Sequence, residues 1–367
     1  MRREPGSQVY AAECGPLIAT YERWLGEGLN PSLHPERYDE WCDAFGIDRW
    51  YTTINICLPQ KPLFKEEIIE ETADTITQRM PDGSIRCNSK GHHRSIYHTV
   101  RNAITSIEEW ERYKDWMAVN ASLPPVSAQN VKDAVKTAGN SASPVRIYAG
   151  SILGAARTLL GFESIATLPY DNPEWFEDVV ETFCRTAEWQ VRACGENGVT
   201  ADVIHFSEDI CFKNGPIVNP EHFRIYAVPR YRRVVELAKK YGYKYFSVDS
   251  DGNLDALLPH WLAGGINVFL PLEVQAGMDI NVLVERFAGQ AVWFGGVNKY
   301  RLTFSRKEIE TELMRVRPAL KSGCYVPHLD HNVPHDISFE NFLTYLELKK
   351  EILGVGNGRP LDSRVRK

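Results

Sequence analysis

The stretch KYFSVDSDGNLDALLPHWLAGGINVFLPLEVQAGMDINVLVERFAGQAVWFGGVN (residues 244–298) holds three short apolar runs separated by two longer segments. The runs KYFSVD, INVFLPL and AVWFGGV are continuously apolar rather than alternating, the mark of strands buried on both faces. The segments between them, NLDALLPHWLAGG and MDINVLVERFAGQ, have helical spacing. Strict alternation of strand and helix predicts a parallel sheet.

The same unit recurs on either side. Strand VRIYAG (145–150) precedes a helix beginning SILGAARTLLG and a second in 172–198, with proline near its start and a glycine stop. Strand TADVIHFS (200–207) is followed by a helix over 219–242. Beyond AVWFGGV come a helix over 305–323, strand CYVPHL (324–329) and a helix over 338–353. These are six strand–helix units. One or two more strands are expected from the first 140 residues, where RWYTTINICLP (49–59) is β-rich.

The predicted fold is therefore α/β, a closed (β/α)8 TIM barrel with an N-terminal extension and a β-hairpin excursion. The hairpin is expected over residues 66–90, around the turn signal Pro81-Asp82-Gly83. Short helices are expected near 16–24, 40–48 and 105–117, and residues 118–143 read as a loop. One domain is expected over 1–367: an N-terminal segment 1–143, main barrel units 144–355 and a tail 356–367. The rival is an open doubly wound sheet. No G-x-G-x-x-G follows the first strand, which counts against a dinucleotide fold.

Composition narrows the function classes. A formal net charge of −6 and a pI near 6.0 argue against a nucleic-acid binder. No run of 18 apolar residues suggests a membrane span, and the first residues lack a signal peptide's apolar core. Eight cysteines without a C-x-x-C pair read as reduced thiols. A cytoplasmic location is expected, with no nucleic-acid or membrane partner; a homodimer is left open.

In a barrel the loops after the strands open on one face, so the residues at strand exits are the candidates for chemistry. TADVIHFS exits into His205, Glu208 and Asp209; KYFSVD into Asp249 and Asp251; INVFLPL into Glu273. AVWFGGV exits into Asn298 and Lys299, and CYVPHL into Asp330 and His331. Asp249, Asp251, Glu273 and His331 are the candidate catalytic residues. His205, Glu208, Asn298, Lys299 and Asp330 are the candidate substrate contacts. Asp249, Asp251 and His331 could hold a metal by oxygen and nitrogen. Plainer readings stand beside these: a turn and helix N-cap for Asp249-Ser-Asp251-Gly-Asn, a solvated loop pair for Glu208-Asp209, a surface role for Lys299. Asp330 and His331 are adjacent on a strand and point to opposite faces, so they are not expected to pair. Gly295-Gly296 suggests either backbone approach to a ligand or a tight turn.

The segments from EDICFKNGPIVNPEHF through VDSDGN, PLEVQAGMD, GGVNK and YVPHLDHNVPHDISFENF resemble the uroporphyrinogen-decarboxylase superfamily over roughly residues 140–355, with a weaker echo at the hairpin near residue 83. The resemblance implies a (β/α)8 barrel and one of two activities. Decarboxylases of tetrapyrrole acetates grip their substrate with an N-terminal arginine-rich stretch, which residues 1–60 lack; His331 matches their final-loop histidine. Corrinoid-dependent methyltransferases hold zinc through His-x-Cys and a later Cys. Here Asp249-x-Asp251 and Asp330-His331 stand in those places, so the thiophilic set is absent. Three functions are weighed: methyl transfer between a small methoxy or methylamino substrate and a corrinoid on a partner protein; tetrapyrrole-carboxylate decarboxylation; and a non-catalytic barrel that binds a corrinoid or partner domain. The cofactors implied are a divalent metal, zinc or another, and that corrinoid.

Overall fold

A computed structural model of the chain describes residues 9–56, 64–90, 97–117, 127–356 and 361–367. Expectations placed on residues 57–59, on 118–126 and on parts of both termini lie outside these.

Seven parallel strands form the central sheet: β1 (Thr52–Ile54), β6 (Val145–Gly150), β7 (Val203–Ser207), β10 (Tyr245–Asp249), β11 (Val268–Leu272), β12 (Val292–Val297) and β13 (Tyr325–Leu329). They neighbour one another in that order, each parallel to the next, which is the barrel progression. Helices α5 (Gly154–Leu160), α6 (Phe162–Asp171) and α7 (Pro173–Glu196) follow β6; a short antiparallel ribbon of β8 (Cys211–Phe212) and β9 (Gly215–Pro216), then α8 (Pro220–His222) and α9 (Val228–Lys240), follow β7. Helices α10 (Leu258–Gly264), α11 (Ile280–Arg286), α12 (Arg306–Val316) and α13 (Phe339–Leu353) follow β10 to β13 in turn.

The expected eighth strand is not a regular ladder. Among the described residues of the first 143, only β1 joins the sheet as a strand, and residues 9–17 run between β13 and the lead-in to β1. Val333 N–H donates to the Gly15 carbonyl at 3.0 Å and Leu17 N–H to the Val333 carbonyl at 3.1 Å. Trp50 Nε1 donates to the Glu13 carbonyl at 2.8 Å, and Leu329 N–H to the Glu13 carboxylate at 2.9 Å. The Glu13 carboxylate also accepts from Tyr345 Oη at 2.6 Å and Lys349 Nζ at 2.8 Å, both on α13. A side chain thus replaces part of the ladder on the side where the barrel closes.

Period-two alternation divides the apolar residues into two layers. Phe246, Val248, Phe269 and Trp293 lie in the large core with the helices, with the last two rings stacked at 5.1 Å. Val268, Leu270 and Phe294 face inward and pack with Tyr245, Val292, Val326 and Trp50. Leu270 of this inner cluster is level with Asp249 of β10, so apolar and polar inner residues share the barrel interior.

The hairpin excursion is larger than expected: β2 (Glu67–Glu71), β3 (Thr75–Arg79), β4 (Ile85–Ser89) and β5 (His98–Arg101) form a four-stranded antiparallel sheet. Helices α1 (Ile18–Gly26), α2 (Tyr38–Phe45) and α3 (Ile107–Trp116) lie where helical spacing placed them. Residues 128–139 form α4 (Ala128–Gly139) rather than continuing the expected loop. Ser127 caps it by accepting from Asn130 N–H, and Ala134 and Ala138 are its buried contacts. A face of small residues is a weak periodic signal, which explains the difference. No helix among the described residues is long and apolar enough to cross a membrane.

Candidate active site

A cleft of about 400 Å³ opens inside the barrel, lined by Asp249, Asp251 and His331 from the strand exits, Arg146 of β6, and Trp50 and Cys14. Alternation along β10 turns Ser247 and Asp249 inward while Phe246 and Val248 bury against the helices.

Three carboxylates converge at the exits of β7 and β10. Single oxygens of Asp209, Asp249 and Asp251 all lie within 4.8 Å of one another. Asp209 has φ +45°, the left-handed region that side-chain-bearing residues rarely enter, and its carboxylate accepts from Asp251 N–H at 3.3 Å. Gly252, at φ +86°, turns the chain where a Cβ would stand 2.7 Å from the Cys211 and Phe212 carbonyls. The sequence VDSDGN is therefore a turn that only glycine completes, and its Gly252 N–H donates to Glu273 Oε2 at 2.8 Å.

Burial, then the charges of Asp209 and Asp251, push the Asp249 pKa up to about 7. Burial and the Asp251 charge raise Asp209 as well. His331 Nε2 lies 3.6 Å from Asp251 Oδ2, and that contact lifts the imidazole pKa above its ordinary value against the effect of burial. The cleft therefore holds a carboxyl that titrates near neutral pH beside the His331–Asp251 contact. The oxygen-rich donor set, with one imidazole at its edge, fits a hard divalent cation held by Asp209, Asp249 and Asp251.

The residues singled out from sequence separate into groups. Asp249, Asp251 and His331 line the cleft together. Glu273 holds the turn after β10 and stands 4.0 Å from Lys299 Nζ; both bear electrostatically on His331. Glu208, read above as a substrate contact, is wholly buried instead. Its oxygens accept from Ile152, Leu153 and Gly154 N–H at 2.7–2.9 Å and from Tyr231 Oη at 2.6 Å, so it satisfies the first turn of α5. Asp330 is buried too, and its carboxylate accepts from Lys299 and Val274 N–H, both at 3.0 Å. Asn298 caps the turn after β12 through Tyr300 N–H. All three tie strand-exit loops together with the oxygens that were expected to meet substrate. His205 sits lower in the barrel, bonded to Ser247 Oγ at 2.8 Å and Arg146 Nη1 at 3.3 Å. Gly295 makes a close backbone approach, but to β11: a Cβ there would stand 2.6 Å from Leu272 N.

Sequence reasoning passed over Arg146, Glu13 and Cys14. A cation inside the otherwise apolar VRIYAG was a usable signal for the first. Glu13 and Cys14 lie in a segment without periodicity, so nothing local marks them.

Two buried histidines make the fold acid-sensitive. Burial, aided by Arg146, lowers His205 to about 3, and burial lowers His328 to about 4. Between these values and the unfolded pKa near 6.5 the unfolded chain binds more protons, so stability falls as pH drops. Each contributes a loss on the order of 3–5 kcal/mol by the time its folded pKa is passed. Raised carboxyls such as Asp249 contribute with the opposite sign, so the test is differential: from pH 7 to pH 4 the guanidinium midpoint of His205→Gln should change less unfavourably than that of wild type, and parallel profiles would contradict this.

Fold and site define a class: a parallel α/β barrel with an acidic cluster and a histidine at its strand exits. The uroporphyrinogen decarboxylase (URO-D) family model matches residues 94–352, most of the chain, and the protein belongs to that family. Among solved structures the chain is similar to a methyltransferase from Methanosarcina mazei, with 15% identity, 95% of each chain covered and a TM-score of 0.57. It is also similar to a B12-independent methionine synthase from Shewanella sp. W3-18-1, solved with selenomethionine, with 12% identity, 95% of this chain and 98% of the other covered and a TM-score of 0.46. No curated protein sequence matches the chain.

Proposed function

We propose that the protein transfers a methyl group between a small methylated substrate, methoxy or methylamino, and a corrinoid carried by a partner protein. The observation that carries this reading is Asp249: a carboxyl that still holds a proton near pH 7, in a cleft sized for a small molecule. The corrinoid supplies the methyl acceptor. A methylammonium donor already carries its proton and leaves as a neutral amine; for a methoxy donor Asp249 gives its proton to the oxygen as the carbon–oxygen bond breaks, so that a neutral alcohol departs. The resulting Asp249 carboxylate is reprotonated from solvent. His331, held by Asp251, places its imidazole beside that carboxylate, where the Asp251 contact favours the protonated form. A divalent cation bound by Asp209, Asp249 and Asp251 would ionise Asp249 and supply Lewis-acid help to the leaving group in place of that proton.

A tetrapyrrole polycarboxylate fits this cleft poorly. Three carboxylates line or border it, and each close like-charge pair costs roughly 4 kcal/mol at about 4 Å and an effective dielectric of about 20. Purified protein is therefore expected to leave uroporphyrinogen unchanged. His331→Ala is expected to cut methyl transfer to cob(I)alamin from a methoxy or methylamino donor by about 100-fold or more. Both are read by chromatography of porphyrins and by the cobalamin absorbance change; efficient formation of coproporphyrinogen would replace this proposal with the decarboxylase reading.

A further inference from the structure

The acid–base chemistry above makes no use of Arg146. It is the second residue of β6 and faces into the barrel, where Nε donates to Thr53 Oγ1 at 2.8 Å and Nη1 to His205 Nε2 at 3.3 Å. Because Nε2 of His205 accepts that bond, its Nδ1 carries the proton shared with Ser247 Oγ at 2.8 Å. The guanidinium carbon lies 5.5 Å from the centroid of the Tyr51 ring. The fork is thus fixed on one edge by neutral groups and covered on one face, and it lines the cleft.

No carboxylate meets it: among the described residues Arg146 forms no ion pair. Arg230, also well covered, is met by Glu177 at 2.8 Å and Glu181 at 3.1 Å, and Arg315 by Glu312 at 2.6 Å. Covering a guanidinium without an anion is costly, and burial here works against its charged form. A rigid, planar cation inside a cleft, with no carboxylate in ion-pair contact and the Asp249 charge acting on it from beyond that distance, is suited to bidentate recognition of a planar oxyanion. In the same cleft Asp249 and Asp251, with Asp209 grouped beside them, offer negative charge to a cationic group.

We infer that Arg146 anchors a carboxylate-binding subsite at the inner end of the cleft, and that the ligand is a small zwitterion whose amine end lies against the acidic cluster. This deepens the proposed function, resting on it for the assignment of a methylamino rather than a methoxy substrate.

Isothermal titration with ω-dimethylamino carboxylic acids of stepped chain length tests it without corrinoid or turnover. The controls are their methyl esters and the corresponding dimethylalkylamines. One chain length is expected to bind wild type best, and esterification and Arg146→Met are each expected to weaken it by about 10- to 100-fold. Arg146→Lys should fall between, and the carboxylate-free amine should bind all three proteins alike. Thermal melts establish that each variant is folded. The inference is overturned if Arg146→Met binds the acids as wild type does, if the esters bind equally well, or if no acid of the series binds. Carboxylate-dependent binding without methyl transfer to cob(I)alamin leaves the subsite standing and removes the methyl-transfer proposal. Methyl transfer with an unchanged KM in Arg146→Met does the reverse.

Discussion

Asparagine in place of Asp249 is expected to lower methyl transfer by about 10²- to 10⁴-fold, the span associated with loss of a general acid, while raising the melting temperature at alkaline pH. The two effects come from one cause. In the folded chain burial and the neighbouring Asp209 and Asp251 charges hold the Asp249 pKa at about 7, far above an ordinary aspartate. The unfolded chain releases that proton near pH 4. Between roughly pH 4 and pH 7 the native state therefore binds more protons, and its stability falls as pH rises through the window. Above about 7 the native protein carries a disfavoured carboxylate among like charges. The isosteric amide carries none, so Asp249→Asn should melt higher than wild type at pH 8 and close to it at low pH. Its acid is also gone, so the wild-type decline of kcat above about pH 7 has no counterpart in the residual activity. Substantial activity in Asp249→Asn, or a lower melting temperature at pH 8, would remove Asp249 from the mechanism.

Lys349→Met is expected to be the most damaging single change to the fold, at about 3–5 kcal/mol, because it leaves a buried charge unmatched. Lys349 and Glu13 are almost fully buried, with Nζ 2.8 Å from Oε2 and 2.7 Å from the Ala12 carbonyl. Glu13 in turn receives Leu329 and Cys14 N–H, so removing the ammonium loosens the segment that bridges β13 and the lead-in to β1. Cys14 and Trp50 line the cleft beside that bridge, so the loss should reach ligand binding as well as stability. The double change Glu13→Gln with Lys349→Met removes both charges and should recover part of the loss in a denaturant titration. A double variant no more stable than Lys349→Met would show that packing, not charge, holds the closure.

The barrel strands were legible because burial on both faces demands unbroken apolar runs, and those runs lie at 145–150, 203–207, 245–249, 268–272, 292–297 and 325–329. Strand exits follow from the same reading, which is how Asp249, Asp251 and His331 could be brought to one face before any coordinates. The signal fails where a side chain does the work of a ladder. Residues 9–17 close the barrel through the Glu13 carboxylate, and a single carboxylate has no period.

What the amino-acid sequence determined by itself was the order of the strands, the family and the set of ionisable groups at the mouth. Tertiary structure alone decided which of those groups face the cleft. Glu208, Asp330 and Asn298 sit at the same exits as Asp249 and His331, but their oxygens complete backbone donors of α5 and of the loops after β11 and β12. Arg146, read as part of an apolar strand, turns inward to the cleft. The reason is physical: strand periodicity tells a residue its face, while the donors and charges that meet it come from segments tens to hundreds of residues away.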